Sequence, residues 1–267
     1  MKEQIRSYIQ AECPWRDTLH WLSVTDSTNL RARELAKGGA PEGTVVIAGG
    51  QTGGRGRLGR SFSSPQGQGV YLSVVLRPHC QPENLMHLTC AVGVAMCRAV
   101  ERVSGIKSGL KWINDIVYDG WKLGGILTEL SVDPVTGLVD HAIVGVGINC
   151  LQQQADFPEQ IRDFAGSLAM ASGALVIPEK LAAAMVEELW MLSSQLLSHK
   201  ARWMAEYEDK CITLGQQIRL VRGDVIRYGQ AVGLDGDGGL IVTFSDGHRE
   251  TVNAGEVSVR GMYGYFS

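Results

Sequence analysis

The chain has 267 residues, 45% hydrophobic and 20% charged, with a net charge of −3. That supplies a substantial core and excludes disorder as the main state. A pI near 6.1 excludes a dedicated nucleic-acid binder, which carries a strongly basic domain.

Met1 to Trp15 mixes charged and apolar residues and holds no signal-like apolar core. The longest apolar run, Leu88–Cys97, falls well short of the ~20 residues of a membrane helix. Six cysteines (13, 80, 90, 97, 150 and 211) show no CxxC pair, which reads as free thiols in a reducing cytoplasm.

In chain order, Thr25–Gly38 predicts a helix, with Asp26, Ser27 and Thr28 as capping oxygens and Gly38-Gly39 as its stop. Thr44–Ala48 and Val70–Leu76 predict buried strands. Asn84–Val103 predicts a core helix and Leu110–Trp112 a short strand. Ile116–Tyr118, the Asp119-Gly120 turn, then Trp121–Leu123 and Ile126–Leu130 predict a hairpin. Val139–Asn149 predicts a strand, taken as an exposed sheet edge, and Pro178–His199 an amphipathic helix. From Cys211 five short segments predict a small β-barrel: Gln217–Arg222, Val225–Leu234, Leu240–Phe244, Arg249–Val252 and Val257–Arg260. The expected division is 1–210 and 211–267.

The chemistry concentrates between the first two buried strands. Gly49 to Gly69 holds eight glycines, and Gln51-Thr-Gly-Gly-Arg-Gly-Arg-Leu-Gly-Arg60 holds three arginines. No Asp or Glu occurs between Gly43 and Pro82. Arginine forks between glycines, without counter-charges, describe a flexible anion-binding loop. Gly54-x-Gly56-x-x-Gly59 is not a dinucleotide fingerprint. It does not sit on the strand end, no helix follows, and no acid lies about 20 residues on. There is no P-loop either. Arg-Gly repeats also occur in RNA binders, but the acidic net charge opposes that class.

Lys111-Trp-Ile-Asn-Asp115 is the second feature. The predicted hairpin puts Lys122 on the return strand, near the strand carrying Lys111 and Asp115, and Gly124-Gly125 marks a close approach of backbone or ligand. Gly145-x-Gly147-Ile-Asn149 is a strand with little side-chain bulk, fit for a narrow pocket wall. His79, Cys80, His87 and Cys90 lack zinc-ligand spacing, and Asp235/Asp237 lack the further ligands of a calcium loop.

Taken in order, these segments resemble the biotin–protein ligases. The blocks are Asp26-Ser-Thr-Asn29, Gln51-x-x-Gly-Arg-Gly-Arg57-x-Gly-Arg60, Lys111-Trp-x-Asn-Asp115, Lys122-Leu-x-Gly-Ile-Leu127, Gly145-x-Gly-Ile-Asn149 and Gly255-Glu-Val-Ser-Val-Arg260. The resemblance implies an α+β catalytic domain with a mixed sheet like that of class II aminoacyl-tRNA synthetases, followed by an SH3-like barrel. It implies a cytoplasmic enzyme that converts biotin and ATP–Mg²⁺ to biotinyl-5′-adenylate and pyrophosphate. The biotin then passes to a lysine of a carboxylase's biotin carboxyl carrier domain.

By the same resemblance, Ser27, Thr28 and Asn29 contact biotin's polar ring, with Gln51 nearby. Gly54, Arg55, Gly56 and Arg57 form the biotin and adenylate loop. Lys122 binds the biotin carboxylate and then the adenylate, and Gly125 and Gly147 line the pocket. Arg60, Phe62, Asn114, Asn149 and Arg260 lie on the nucleotide side, and Asp115 orients or deprotonates the acceptor amine. Lys122, Arg57 and Asp115 are the expected catalytic residues, with no protein-borne metal site. Phe62 stands where many relatives have Trp, and Ile113 where many have Pro. The resemblance begins near Leu22, which leaves no room before it for the DNA-binding domain of bifunctional members. No DNA or membrane partner is expected, and homodimers occur among relatives. The competing expectation is a lipoate or octanoate ligase of related fold.

Overall fold

The computed structural model describes residues 1–253 and the backbone of residues 258–261. The first part contains α1 (Lys2–Tyr8), β1 (Leu19–Leu22), α2 (Thr28–Lys37), β2 (Val45–Ala48), β3 (Gly69–Leu76), α3 (Leu88–Ser104) and β4 (Gly109–Lys111). It continues with β5 (Asp115–Tyr118), β6 (Trp121–Val132), β7 (Val139–Asn149), α4 (Leu168–Ser172), α5 (Pro178–Gln195) and α6 (Lys200–Lys210). The C-terminal strands are β8 (Gln217–Arg222), β9 (Val225–Leu234), β10 (Leu240–Thr243), β11 (Arg249–Val252) and β12 (Ser258–Gly261).

The first seven strands make one mixed sheet in the order β1-β2-β3-β7-β6-β5-β4. β1 lies parallel to β2, and every other neighbouring pair is antiparallel. Strand alternation divides the core between the two faces. Val45, Ile47, Val74 and Val144 pack with α3 and α5. Val46, Val75 and Ile143 pack with Ala32 and Ala36 of α2. Both faces of the central strands are therefore covered, which explains their unbroken apolar runs.

Several expectations need correction. Val139–Asn149 is a strand over the predicted span, but it is not an edge: β7 is buried between β3 and β6. The edge strands are β1 and β4, and the far half of β6 adds an open stretch, because β5 pairs with β6 only as far as Gly125. β6 also runs unbroken through Gly124-Gly125. The irregularity is a bulge at Leu123, where pairing steps from Gly124 opposite Ile116 to Lys122 opposite Val117. The predicted core helix starts later, at Leu88, after a separate 3-10 turn at Pro82–Leu85. It ends on Gly105, whose φ of 73° suits an αL cap. The helix from Pro178 stops at Gln195. Leu19–Leu22, Lys2–Tyr8 and Lys200–Lys210 were not predicted as elements.

The C-terminal strands form an antiparallel sheet in the order β11-β10-β9-β8-β12. Its near end is stitched to the first sheet. Cys211 bridges to Leu110, and Ile212 N donates to Leu110 O at 3.0 Å. Trp112 N donates to Thr213 Oγ1 at 2.9 Å, and Trp112 Nε1 donates to Gly238 O at 2.8 Å. Asp235 caps its own turn, accepting from Asp237 N and Gly239 N. No helix among the described residues is long and apolar enough to cross a membrane. All six cysteines are buried free thiols.

α5 buries two adjacent acids, Glu187 and Glu188. Glu187 accepts from Gln10 N at 2.7 Å and pairs with Arg102 at 2.8 Å, which ties the end of α1 to α3. Glu188 is 3.7 Å from Arg102, and burial pushes its carboxyl above the ordinary range despite Arg102 and Arg98. The folded chain therefore holds this proton more tightly than the unfolded chain does. Its stabilising contribution is complete below the ordinary glutamate range near ~4.3 and is lost as pH rises through the folded-state value. Glu188→Gln, which mimics the protonated form, is expected to raise Tm at pH 7. The gain should vanish in melts at about pH 4.

Candidate active site

A cavity of about 130 Å³ opens between the first turn of α2, the loop after β2, the β4–β5 turn and the middles of β6 and β7. One end is neutral and polar. Ser27 stands at the N-cap position of α2 in an extended conformation, but its side chain makes no capping bond, contrary to expectation. The next residues start the helix with their side chains at the cavity. Thr28 donates to Gln51 Oε1 through its backbone N at 2.9 Å and its hydroxyl at 3.1 Å. Gln51 Nε2 donates to Ser64 Oγ at 2.8 Å. Asn29 Nδ2 donates to Glu129 Oε2 at 2.9 Å. A Cβ on Gly145 would lie 1.8 Å from Asn29 Oδ1, so only glycine lets α2 sit this close to β7. Two residues on, a Cβ on Gly147 would meet the Phe62 ring at 2.5 Å.

The other end is charged. Lys122 Nζ donates to Asp115 Oδ1 at 2.6 Å, across the hairpin predicted to join them. Arg57 Nη1 donates to Asn114 Oδ1 at 3.1 Å, and Asn114 Nδ2 donates back to Ile126 O at 3.0 Å. Burial pulls the Arg57 guanidinium below its ordinary value, and the charge of Asp115 opposes that pull. Arginine remains protonated at any ordinary pH. Lys111, buried on β4, also lines this end. Asp115 is the one carboxylate among the residues lining the cavity.

The arginine loop folds back on itself. Gln51 N donates to Ser64 O, Phe62 N to Gly54 O at 2.9 Å, and Gly56 N to Arg60 O at 2.7 Å. Leu58 and Gly59 turn the tip with positive φ. The Phe62 ring meets Tyr71 edge to face, 6.5 Å between centroids. Arg55 lies 3.7 Å from Glu129, whose charge offsets its own.

Most of the residues expected at the site come together here. Ser27, Thr28, Asn29, Gln51, Arg55, Gly56, Arg57, Arg60, Phe62, Asn114, Asp115, Lys122, Gly125 and Gly147 all line the cavity. Gly54 does not; it packs behind the lining, where a Cβ would meet Phe62 O at 2.3 Å and Ser64 Oγ at 2.6 Å. Asn149 also lies elsewhere: its Nδ2 donates to Gly166 O at 2.9 Å and its Oδ1 accepts from Gln152. Arg260 has its backbone in β12, opposite Arg219, and its side chain falls outside the described residues, as do Gly255, Glu256 and Val257. Sequence reasoning missed Ser73 and Glu129. Ser73 is the one small polar side chain within the apolar run of β3, and a polar group in a fully buried run needs a partner.

Residues 21–149 match the model of the biotin/lipoate A/B protein ligase family, and residues 213–260 match that of the biotin protein ligase C-terminal domain. The bifunctional ligase/repressor BirA of Bacillus spizizenii is 35% identical over 246 residues, 88% of this chain and 72% of that protein. The biotin–[acetyl-CoA-carboxylase] ligase of Mycobacterium tuberculosis is 31% identical over 255 residues, 93% of this chain and 91% of that protein. Among solved structures, the Aquifex aeolicus biotin protein ligase in complex with biotin and ATP superposes with a TM-score of 0.77 at 31% identity. That match covers 91% of this chain and 98% of the other.

Gly145→Ala is expected to cost roughly 1–3 kcal/mol of stability, because Asn29 is held on three sides and has no room to retreat. Gly125→Ala, whose nearest neighbour is the flexible Lys122 chain at 3.5 Å, is expected to stay within about 0.5 kcal/mol. Urea denaturation of the two variants compares them directly.

Proposed function

The chain belongs to the biotin/lipoate A/B protein ligase family, and on that premise we propose how its cavity carries out biotin–protein ligation. Biotin and ATP give biotinyl-5′-adenylate and pyrophosphate. The biotinyl group then passes to the side-chain amine of a lysine on a biotin carboxyl carrier domain, releasing AMP. The observation that carries the residue assignment is the polarity of the cavity, with a neutral hydrogen-bonding end at Thr28–Asn29 and a cationic end at Arg57 and Lys122. Biotin has the same two ends, a cyclic urea and a carboxylate.

The carboxylate is already ionised at neutral pH, so the first step needs no general base. It needs positive charge where the carboxylate oxygen meets the α-phosphorus and pyrophosphate departs. Lys122 and Arg57 supply that charge. Magnesium enters with ATP as the counter-charge of its phosphates. Asp115, the one cavity carboxylate, is engaged by Lys122 and is not assigned as a metal ligand. When Lys122 turns to the incoming carboxylate and phosphate, the Asp115 oxygen that held its ammonium is placed to accept a proton from the acceptor amine. The loop around Phe62, closed over the adenylate, limits its hydrolysis.

We assign residues 1–210 to catalysis and 211–267 to the appended barrel, and place the enzyme in the cytoplasm with its ATP. Self-association is assigned to the open half-edge of β6, where Leu130 and Val132 are more than 40% exposed. Sedimentation should show a dimer that Leu130→Glu converts to monomer.

Pyrophosphate release with biotin, lipoate or octanoate as the only acid tests the first step. Release with biotin alone is expected, and Lys122→Ala should slow it by roughly 10²–10³-fold. Asp115→Asn should retain adenylate formation and slow transfer to the carrier by roughly 10²-fold or more. Normal transfer by Asp115→Asn rules out the role given to Asp115.

A further inference from the structure

Asn29 Nδ2 has two hydrogens and two neighbours that only accept, Leu127 O at 3.3 Å and Glu129 Oε2 at 2.9 Å. Its Oδ1 therefore turns to Ser73 Oγ, 2.6 Å away. Glu129 is itself held in place, because Oε1 meets the guanidinium groups of Arg33 and Arg55. Ser73 is fully buried and has one proton for two contacts, Asn29 Oδ1 and Thr28 Oγ1, the latter at 2.8 Å. An amide oxygen has no proton of its own, so the Asn29 contact takes the one on Ser73. Thr28 also has one proton, and its acceptors are Gln51 Oε1 and the Ser73 oxygen. With the Ser73 proton on Asn29 Oδ1, no described residue donates to Thr28 Oγ1. A carboxylate at one end of this chain of hydrogen bonds thus fixes the hydroxyl at the other end as an open acceptor.

We propose that Glu129 is a specificity-determining positioning residue that acts through Asn29, Ser73 and Thr28. It makes the neutral end of the cavity a site for an N–H donor, with Thr28 Oγ1 accepting from a cyclic urea, while Gln51 Oε1 already accepts from the Thr28 backbone and hydroxyl. An acyl chain would leave that Thr28 acceptor without a donor, a penalty that separates substrates. The inference rests on biotin being the acid that is activated.

The test measures pyrophosphate release by the full-length enzyme with biotin and with an analogue in which one ring N–H is replaced by oxygen. The wild type is expected to favour biotin by roughly tenfold or more in kcat/KM. Glu129→Gln lets the Asn29 amide reverse and the Ser73 proton pass to Thr28 Oγ1. It should raise KM for biotin, leave kcat within about twofold and leave KM for the analogue nearly unchanged, so the preference collapses. Ser73→Ala removes the relay and leaves Thr28 Oγ1 open, so it should keep the preference, also when combined with Glu129→Gln. A parallel rise in both KM values in Glu129→Gln would mark a merely structural role and overturn the inference, as would an unchanged preference in that variant. A wild type that releases no pyrophosphate with biotin overturns the parent reading, and the inference with it.

Discussion

The cavity exists because two side chains come closer to one strand than any side chain on that strand permits. Asn29 descends onto Gly145 from the start of α2, and Phe62 descends onto Gly147 from the arginine loop. β7 is the interior strand of the sheet, so it does not yield. The helix on one side and the loop on the other are therefore registered against the same rigid reference. Everything between them, from Gln51 to Arg57, inherits its position from these two approaches. Preorganisation of this kind comes from regular elements rather than from the loop itself.

The charged end works on a different principle. Lys122 and Asp115 are only partly buried, with side chains 25% and 16% exposed. The pair is wet enough to exchange partners and dry enough for the exchange to matter. In the proposed reaction an incoming carboxylate competes with Asp115 for the same ammonium, and Asp115 holds the place of the substrate's charge before binding. Arg57, fixed through Asn114 to the β6 backbone, keeps positive charge in place while Lys122 changes partner.

The sequence was most legible where chemistry demands unusual composition. An acid-free arginine stretch, an Asn-Asp pair after a tryptophan and a glycine-thinned strand all stand out against ordinary core. Read together they drew the resemblance that the family match bears out. The Asp119-Gly120 turn also placed Lys122 near the strand carrying Asp115, because a hairpin fixes which side chains face one another. Ser73 and Glu129 were less visible. Their importance comes from pairing across about 44 and 100 residues of sequence with Asn29, and local pattern carries no trace of such distances. Asn149 shows the opposite failure. A polar residue closing a glycine-rich strand looks like a ligand contact, but the strand turns it toward the following loop. α6 was missed because its apolar residues Trp203, Met204 and Tyr207 are few and are set among charges, though all three are buried.

The bond from Trp112 to the carbonyl of Gly238 spans 126 residues. Trp112 lines the cavity and stands between Lys111 and Asn114. At a synthesis rate of roughly 5–20 residues per second, its partner leaves the ribosome on the order of ten seconds later. The first sheet is fully synthesised by then, with all of its glycines and arginines, but the β4–β5 turn lacks its outer support. A nascent chain therefore completes this wall of the cavity only once the strands around Gly238 have been made. The last sheet acts in this sense as a timer, holding the cationic pocket unfinished for the seconds that separate the two halves of the bond.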